Sequence, residues 1–137
     1  MKSQFSSAWI SSRQPRKQRK YSYNAPLHIK HNFLSAHLSK ELRAKHKKRS
    51  LSVRKGDEVL VMRGSFAGKK AKISAVDVKR TRAMLEGLTR SKRDGSKVNV
   101  FFHPSNLQII ALTLDDKQRL GVKTEKTQEK KHAPNKI

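Results

Sequence analysis

VRKGDEVLVMRGSFAGKKAKISAVD, residues 53–77, is the stretch that decides the fold. It reads as two short β-strands joined by a tight turn. The first runs from Asp57 to Arg63, bounded by Gly56 and Gly64, and the second from Lys70 to Asp77. In the second, Lys72 and Ser74 alternate with Ala71, Ile73 and Ala75, the period of a strand, until Val76 breaks the register. Gly64 and Gly68 bracket the turn and leave Ser65 and Phe66 at its tip. Glycine lets backbone approach a ligand closely. Arg63, Lys69, Lys70 and Lys72 ring the turn with positive charge, so loop and charge together read as a contact site for a phosphate backbone.

Downstream, the same pattern recurs. Thr81 to Glu86 and Lys97 to Phe102 read as further strands, the latter with Val98, Val100 and Phe102 on one face, and Asp94-Gly95 supplies a turn between them. Asn106 to Leu112 makes a fifth. Five short strands with tight connections predict a mainly β domain closed into a small barrel over residues 51–112, which leaves few exposed sheet edges. A domain of this size buries only about 60% of its chain surface, so its stability is modest without a partner.

Upstream, residues 1–26 form a basic N-terminal arm. Ser11 to Lys20 is polar and cationic with Pro15 set against helix, which predicts an extended segment that orders on its partner, followed by a turn at Asn24 to Pro26. From Leu27 to Arg49 the pattern turns helical: Leu34, Leu38 and Leu42 recur at i, i+4, i+8, and Ser39 can cap a helix through Glu41 to Lys47. Residues 113–137 start with a plausible short helix at Thr113 to Asp116 and run into a basic tail. Trp9 sits in a segment with no periodicity, so it either stacks on a base or is disordered.

Charge narrows the function. The 137 residues carry 33 Lys and Arg against 10 Asp and Glu, a net +23. Twelve of these net charges fall in residues 1–50, eight in 51–112 and three in 113–137. Such an excess repels itself unless a polyanion neutralises it, and each phosphate contact by Lys or Arg releases counterions. Nucleic acid is the expected partner. A membrane surface is not, because neither a lipid anchor nor a basic helix with a bulky apolar face is evident. No run of about 18 apolar residues predicts a span, and the N-terminus lacks the apolar core of a secretory signal.

The quoted stretch resembles the KOW motif. With its flanks PRKQRK, YNAPLH, LSKELR, DGSKVNV, HPSNL and LDDK, the chain from about Ser12 to Leu120 resembles the family of universal large-subunit ribosomal protein twenty-four, L twenty-six in eukaryotes, in its archaeal and eukaryotic form. The resemblance implies an SH3-like barrel and binding to large-subunit ribosomal RNA near the exit of the peptide tunnel, with an early role in subunit assembly. It also implies neighbouring ribosomal proteins as partners, no homo-oligomer, no small-molecule substrate, no cofactor, and a cytoplasmic location in the large subunit with nuclear or nucleolar passage in a eukaryotic cell. The chain departs from the motif at Ala67, where a phosphate contact would be lost, at Ala71, which stiffens the start of the second strand, and at Phe101, where proline is common.

The candidate RNA contacts follow the charge. In the arm they are Arg13, Arg16, Lys17, Arg19 and Lys20, with Tyr21 and Tyr23 placed to stack on unpaired bases. In the helical segment they are His28, Lys30, His31, Arg43, Lys45, Lys47, Lys48 and Arg49. In the barrel they are Arg54, Lys55, Arg63, Gly64, Ser65, Phe66, Gly68, Lys69, Lys72, Lys79, Arg80 and Arg82, then the basic hairpin tip with Arg90, Lys92, Arg93 and Lys97, and finally His103 at its turn before Pro104. Phe66 has a competing role, tucked onto the barrel. His28 and His31, at i, i+3, lack the cysteines or carboxylates a zinc site needs.

Catalysis finds no footing. Asp57, Glu58, Asp77, Glu86 and Asp94 are scattered over turns and strand ends, and Asp57 and Glu58 point to opposite faces of a strand. With no cysteine there is no disulfide and no thiol chemistry. A regulatory KOW module on RNA polymerase or nascent transcripts, and a DNA-compacting protein, are the alternatives. The first would carry further domains and an acidic or apolar docking face, which this chain lacks.

Overall fold

The computed structural model describes residues 5–6, 12–114 and 116–120. Its elements are helices α1 (Pro15–Asn24) and α2 (Leu27–Phe33), strand β1 (Ser35–Leu38), helix α3 (Lys40–His46), and strands β2 (Ser50–Ser52), β3 (Glu58–Val61), β4 (Lys70–Asp77), β5 (Arg82–Ser91), β6 (Lys97–Phe102) and β7 (Leu107–Ala111). Short 3-10 turns at Pro104–Asn106 and Lys117–Leu120 flank β7. The class is mainly β, as the alternation predicts, with all five expected strands present.

The strands form one sheet in the order β2-β1-β7-β3-β4-β5-β6. Among the described strands only β1 and β7 run parallel. A closed barrel is not what forms, because β7 has β3 on one side and β1 on the other, so the edge that closure needs is taken. The sheet instead stays open, with β2 and β6 at its two edges. Register shifts between Glu58 and Val59 in β3, and between Ile73 and Ala75 in β4, add local twist. The second shift lies just ahead of Val76 and accounts for the broken alternation there. Around Gly87, pairing with β6 shifts between Met84 and Thr89, and β5 then runs on to Ser91, well beyond Glu86.

Val59, Val61, Ile73, Ala83, Leu107 and Ile109 are fully buried in the hydrophobic core. Leu34, Ala36 and Leu38 join them from β1 and the residue before it. The continuous helix expected from Leu27 to Arg49 is therefore broken by a strand. Leu34, Ala36 and Leu38 also recur at i, i+2, i+4, and pairing with both β2 and β7 satisfies their backbone and selects that period. Leu42 packs against the same core from α3, whose cap is as expected: the Ser39 hydroxyl accepts from the Leu42 amide at 3.3 Å.

The arm is corrected too. Its described part, Pro15–Asn24, is helical, with Pro15 in the first turn, where a missing N–H costs nothing. Tyr21 anchors it between Phe5, at 4.9 Å between ring centroids, and Phe33, at 6.2 Å. No residue of α1 is itself buried.

Past β7, a polar clasp closes the base of the sheet. Asp57, wholly buried, receives both terminal nitrogens of Arg119, with Nη1 at 2.6 Å from Oδ1 and Nη2 on Oδ2. Arg119 also donates to the carbonyls of Thr113 (2.8 Å) and Ser52 (3.1 Å), while the amides of Arg54 and Thr113 donate to Asp57. The expected helix start at Thr113 to Asp116 falls partly on Asp115, outside the described residues, as do Trp9 and the tail from 121 onward.

Candidate nucleic-acid interface

The turn between β3 and β4 is held by its own backbone. The Gly68 amide donates to the Val61 carbonyl (2.8 Å), and the Ala67 amide to that of Gly64 (3.1 Å). Gly64 and Gly68 have φ of 96° and 82°, a region side chains rarely adopt. Phe66 takes the packing role: its ring meets Phe102 edge-on at 5.8 Å and Lys69 Nζ lies 5.3 Å from its centroid. Arg63, Ser65 and Lys69 stay exposed around this fixed point.

Topology then gathers residues far apart in sequence. Antiparallel pairing of β5 and β6 beside the turn brings Arg63, Phe66, Arg82, Arg90, Phe101 and His103 around one concave surface. A second, between α1, α2 and the β4–β5 turn, is lined by Arg19, Tyr23, Lys30, Lys79 and His103. A third holds His31, Arg54 and Lys55 beside β4. Among the described residues, no carboxylate lines any of the three. His103 borders two of them. Burial, and then the nearby Arg82 charge, hold its imidazole below the ordinary 6.5, and its Nδ1 lies 2.8 Å from the Ser105 hydroxyl.

Other candidates lie on separate faces. Arg13, Arg16, Lys17 and Lys20 are exposed along α1, Tyr23 is 84% exposed, and His28 faces outward on α2. Tyr21, by contrast, is engaged with Phe5 and Phe33 rather than open for stacking. Arg43 spends its Nε on the Leu38 carbonyl (2.8 Å) and Lys48 its ammonium on that of Leu120 (2.6 Å), whereas Lys45, Lys47 and Arg49 extend from exposed positions. Arg54 pairs with Asp116 at 2.7 Å and Arg80 with Asp77 at 3.8 Å, both near the surface. Lys55 and Lys72 remain exposed.

The β5–β6 tip, with Arg90, Lys92, Arg93 and Lys97, is fully exposed. Asp94 is its organiser. Its carboxylate accepts from the Ser96 hydroxyl (2.7 Å) and amide (2.9 Å), and these bonds hold its pKa below the usual value. Lys30 is the exception among all these cations, because it is buried. The Asp57–Arg119 clasp was beyond sequence reasoning, since it joins positions separated by 62 residues.

Against known proteins, residues 12–126 match the family of ribosomal proteins described as L26 in eukaryotes and L24 in archaea. The large ribosomal subunit protein uL24 of Methanosphaera stadtmanae is 48% identical over 108 residues, covering 79% of this chain and 92% of that relative. The protein of the same name from Methanothrix thermoacetophila is 49% identical, covering 79% and 93%.

Proposed function

Since this chain belongs to the family of eukaryotic L26 and archaeal L24 ribosomal proteins, we propose that it is a structural constituent of the large ribosomal subunit that binds and stabilises large-subunit ribosomal RNA. The observation that carries the reading is the arrangement of charge: three concave surfaces lined by Arg, Lys and His, with no carboxylate among the described residues lining any of them. Phosphates brought together in folded RNA repel, and cations set between them lower that cost by releasing counterions. Contacts of this kind fix position and orientation and carry little base information, so recognition is of an RNA fold more than of a sequence.

Within this reading the sheet is a rigid platform. The β3–β4 turn and the β5–β6 tip reach RNA on one side, while α1 and α3 offer cationic faces to neighbouring segments. Family membership supports reading the chain as a non-enzymatic protein near the peptide exit tunnel, with neighbouring ribosomal proteins as partners and a part in subunit assembly. Both relatives compared are archaeal, so nuclear passage gains no support from them.

Gradient sedimentation at moderate salt, paired with salt-dependent affinity for folded ribosomal RNA fragments and for duplex DNA, tests the proposal. Co-sedimentation with the large subunit and a preference for the RNA are expected. Equal affinity for both nucleic acids, or absence from the large subunit, would overturn it.

A further inference from the structure

Among the described residues only two cations are buried, Arg119 and Lys30. Arg119 has its carboxylate in Asp57. Lys30 has none: its one described hydrogen bond is from Nζ to the Tyr23 carbonyl at 3.2 Å, and no described carboxylate pairs with it. An ammonium carries three N–H donors, and burying its charge without a counter-ion is costly. The side chain is 9% exposed and lines the concave surface between α1, α2 and the β4–β5 turn. Around it stand Arg19 from α1, Lys79 from the turn and His103 after β6, again with no carboxylate. Among the described residues lining the cleft every charge is of one sign, and the group that would balance them is an anion small enough to enter from solvent.

We propose that this cleft is a phosphate seat, in which Lys30 grips a phosphate oxygen while Arg19 and Lys79 close on it from either wall. The proposal rests on the RNA-binding reading above and adds to it a particular site and a particular consequence. Helix α1 buries no residue of its own and is held to α2 by Tyr21 against Phe33 and by the Lys30 bond to its last turn. A phosphate bridging Arg19 on α1 to Lys79 on the β4–β5 turn bolts the helix to the sheet, so phosphate binding and helix docking are coupled. The ligand is either a phosphodiester of RNA or free phosphate, since both present the same oxygens.

The test uses the full RNA-free chain, titrated with inorganic phosphate against sodium chloride at matched ionic strength. Amide shifts and melting midpoint are followed, then repeated with a large-subunit RNA fragment. The wild type should show phosphate-specific shifts at Ser22, Lys30, Thr81 and His103, a raised midpoint, and slower amide exchange in residues 18–24. Lys30→Met should abolish these responses and should reduce the slope of log affinity for RNA against log salt by about 1. Lys79→Ala, at an exposed position, should weaken the phosphate response without a folding cost.

Shifts with RNA alone would identify the phosphodiester as the source; shifts with both would show that free phosphate also fits. Absence of shifts with either overturns the seat, as does a Lys30→Met chain that binds RNA with an unchanged salt slope, which would leave the RNA reading standing. Failure of the wild type to bind RNA at all would sink that broader reading, and the inorganic phosphate titration would then decide the seat alone.

Discussion

Replacing Arg119 with methionine keeps much of the side-chain volume and removes the guanidinium that closes the base of the sheet. Four bonds go with it: the two to Asp57 and those to the Thr113 and Ser52 carbonyls. Asp57 stays at 0% exposure with only the Arg54 and Thr113 amides as donors, at 2.9 and 3.1 Å. Leaving one member of a buried ion pair without its partner costs about 3–5 kcal/mol. For a domain near 100 residues, each kcal/mol is worth roughly 4 °C of melting midpoint. Arg119→Met should therefore lower the midpoint of the RNA-free chain by about 12–20 °C, read by far-ultraviolet circular dichroism. Asp57→Asn, which strands the guanidinium instead, should cost a similar amount. The double variant leaves no charge stranded, so its loss should fall short of the sum of the singles by about 2 kcal/mol or more. Additive losses, or single variants costing under about 1 kcal/mol, would refute the claim that the clasp is a coupled buried pair.

Three further outcomes are expected. Replacing Arg63 and Lys69 together with Ala should weaken RNA binding and lower its salt slope by about 2, while changing stability by no more than about 1 kcal/mol; a collapse of the melting midpoint would show that the two side chains are structural. The His103 imidazole, titrated by NMR, should deprotonate below 6.5 in the free chain. Because folding favours its neutral form, stability from this group is complete above about 6.5 and is lost as pH falls through the lowered value; RNA phosphate nearby should raise that value, and an unperturbed or elevated pKa in the free chain would contradict the cationic surroundings described. Leu38→Ala, at a fully buried strand position, should cost about 2–5 kcal/mol, and Leu42→Ala clearly less because it is only half-buried; equal costs in urea denaturation would favour the continuous helical stripe.

How much of the fold and interface is legible in the sequence depends on the range of the interaction concerned. Strand alternation is local, and β3, β4, β6 and β7 lie within a residue or two of where Val, Ile and Phe spacing puts them. Residues Leu34 to Leu42 satisfy both a helical and a strand period over part of their length. What decides between them is the availability of β7 as a parallel partner, a contact about 70 positions away that no local pattern announces. The arm was hidden for a different reason. A cationic, Pro-containing segment has the composition of a disordered one, and only the Tyr21 contacts to Phe5 and Phe33 show what holds it as a helix. For the interface, charge was legible and convergence was not: Arg63 meets Arg82 and Arg90 because β5 crosses beside the β3–β4 turn.

The same distinction separates cations that hold the fold from cations that serve a partner. A sequence assigns all 33 Lys and Arg one sign and nothing more. In the structure, Arg119 is consumed by Asp57, Arg43 and Lys48 each cap a carbonyl, and Arg54 and Arg80 are partly offset by Asp116 and Asp77. The three ion pairs draw on the few acidic groups present, and they lie away from the Arg63–Arg82–Arg90 cleft and the Lys30 cleft. With Asp57, Asp77 and Asp116 paired to Arg119, Arg80 and Arg54, no described carboxylate lines the Arg63–Arg82–Arg90 cleft or the Lys30 cleft, and the compensating charge there is expected from outside. That is why Lys30, buried as deeply as Arg119 yet without a carboxylate, marks the place where the fold is completed by its ligand.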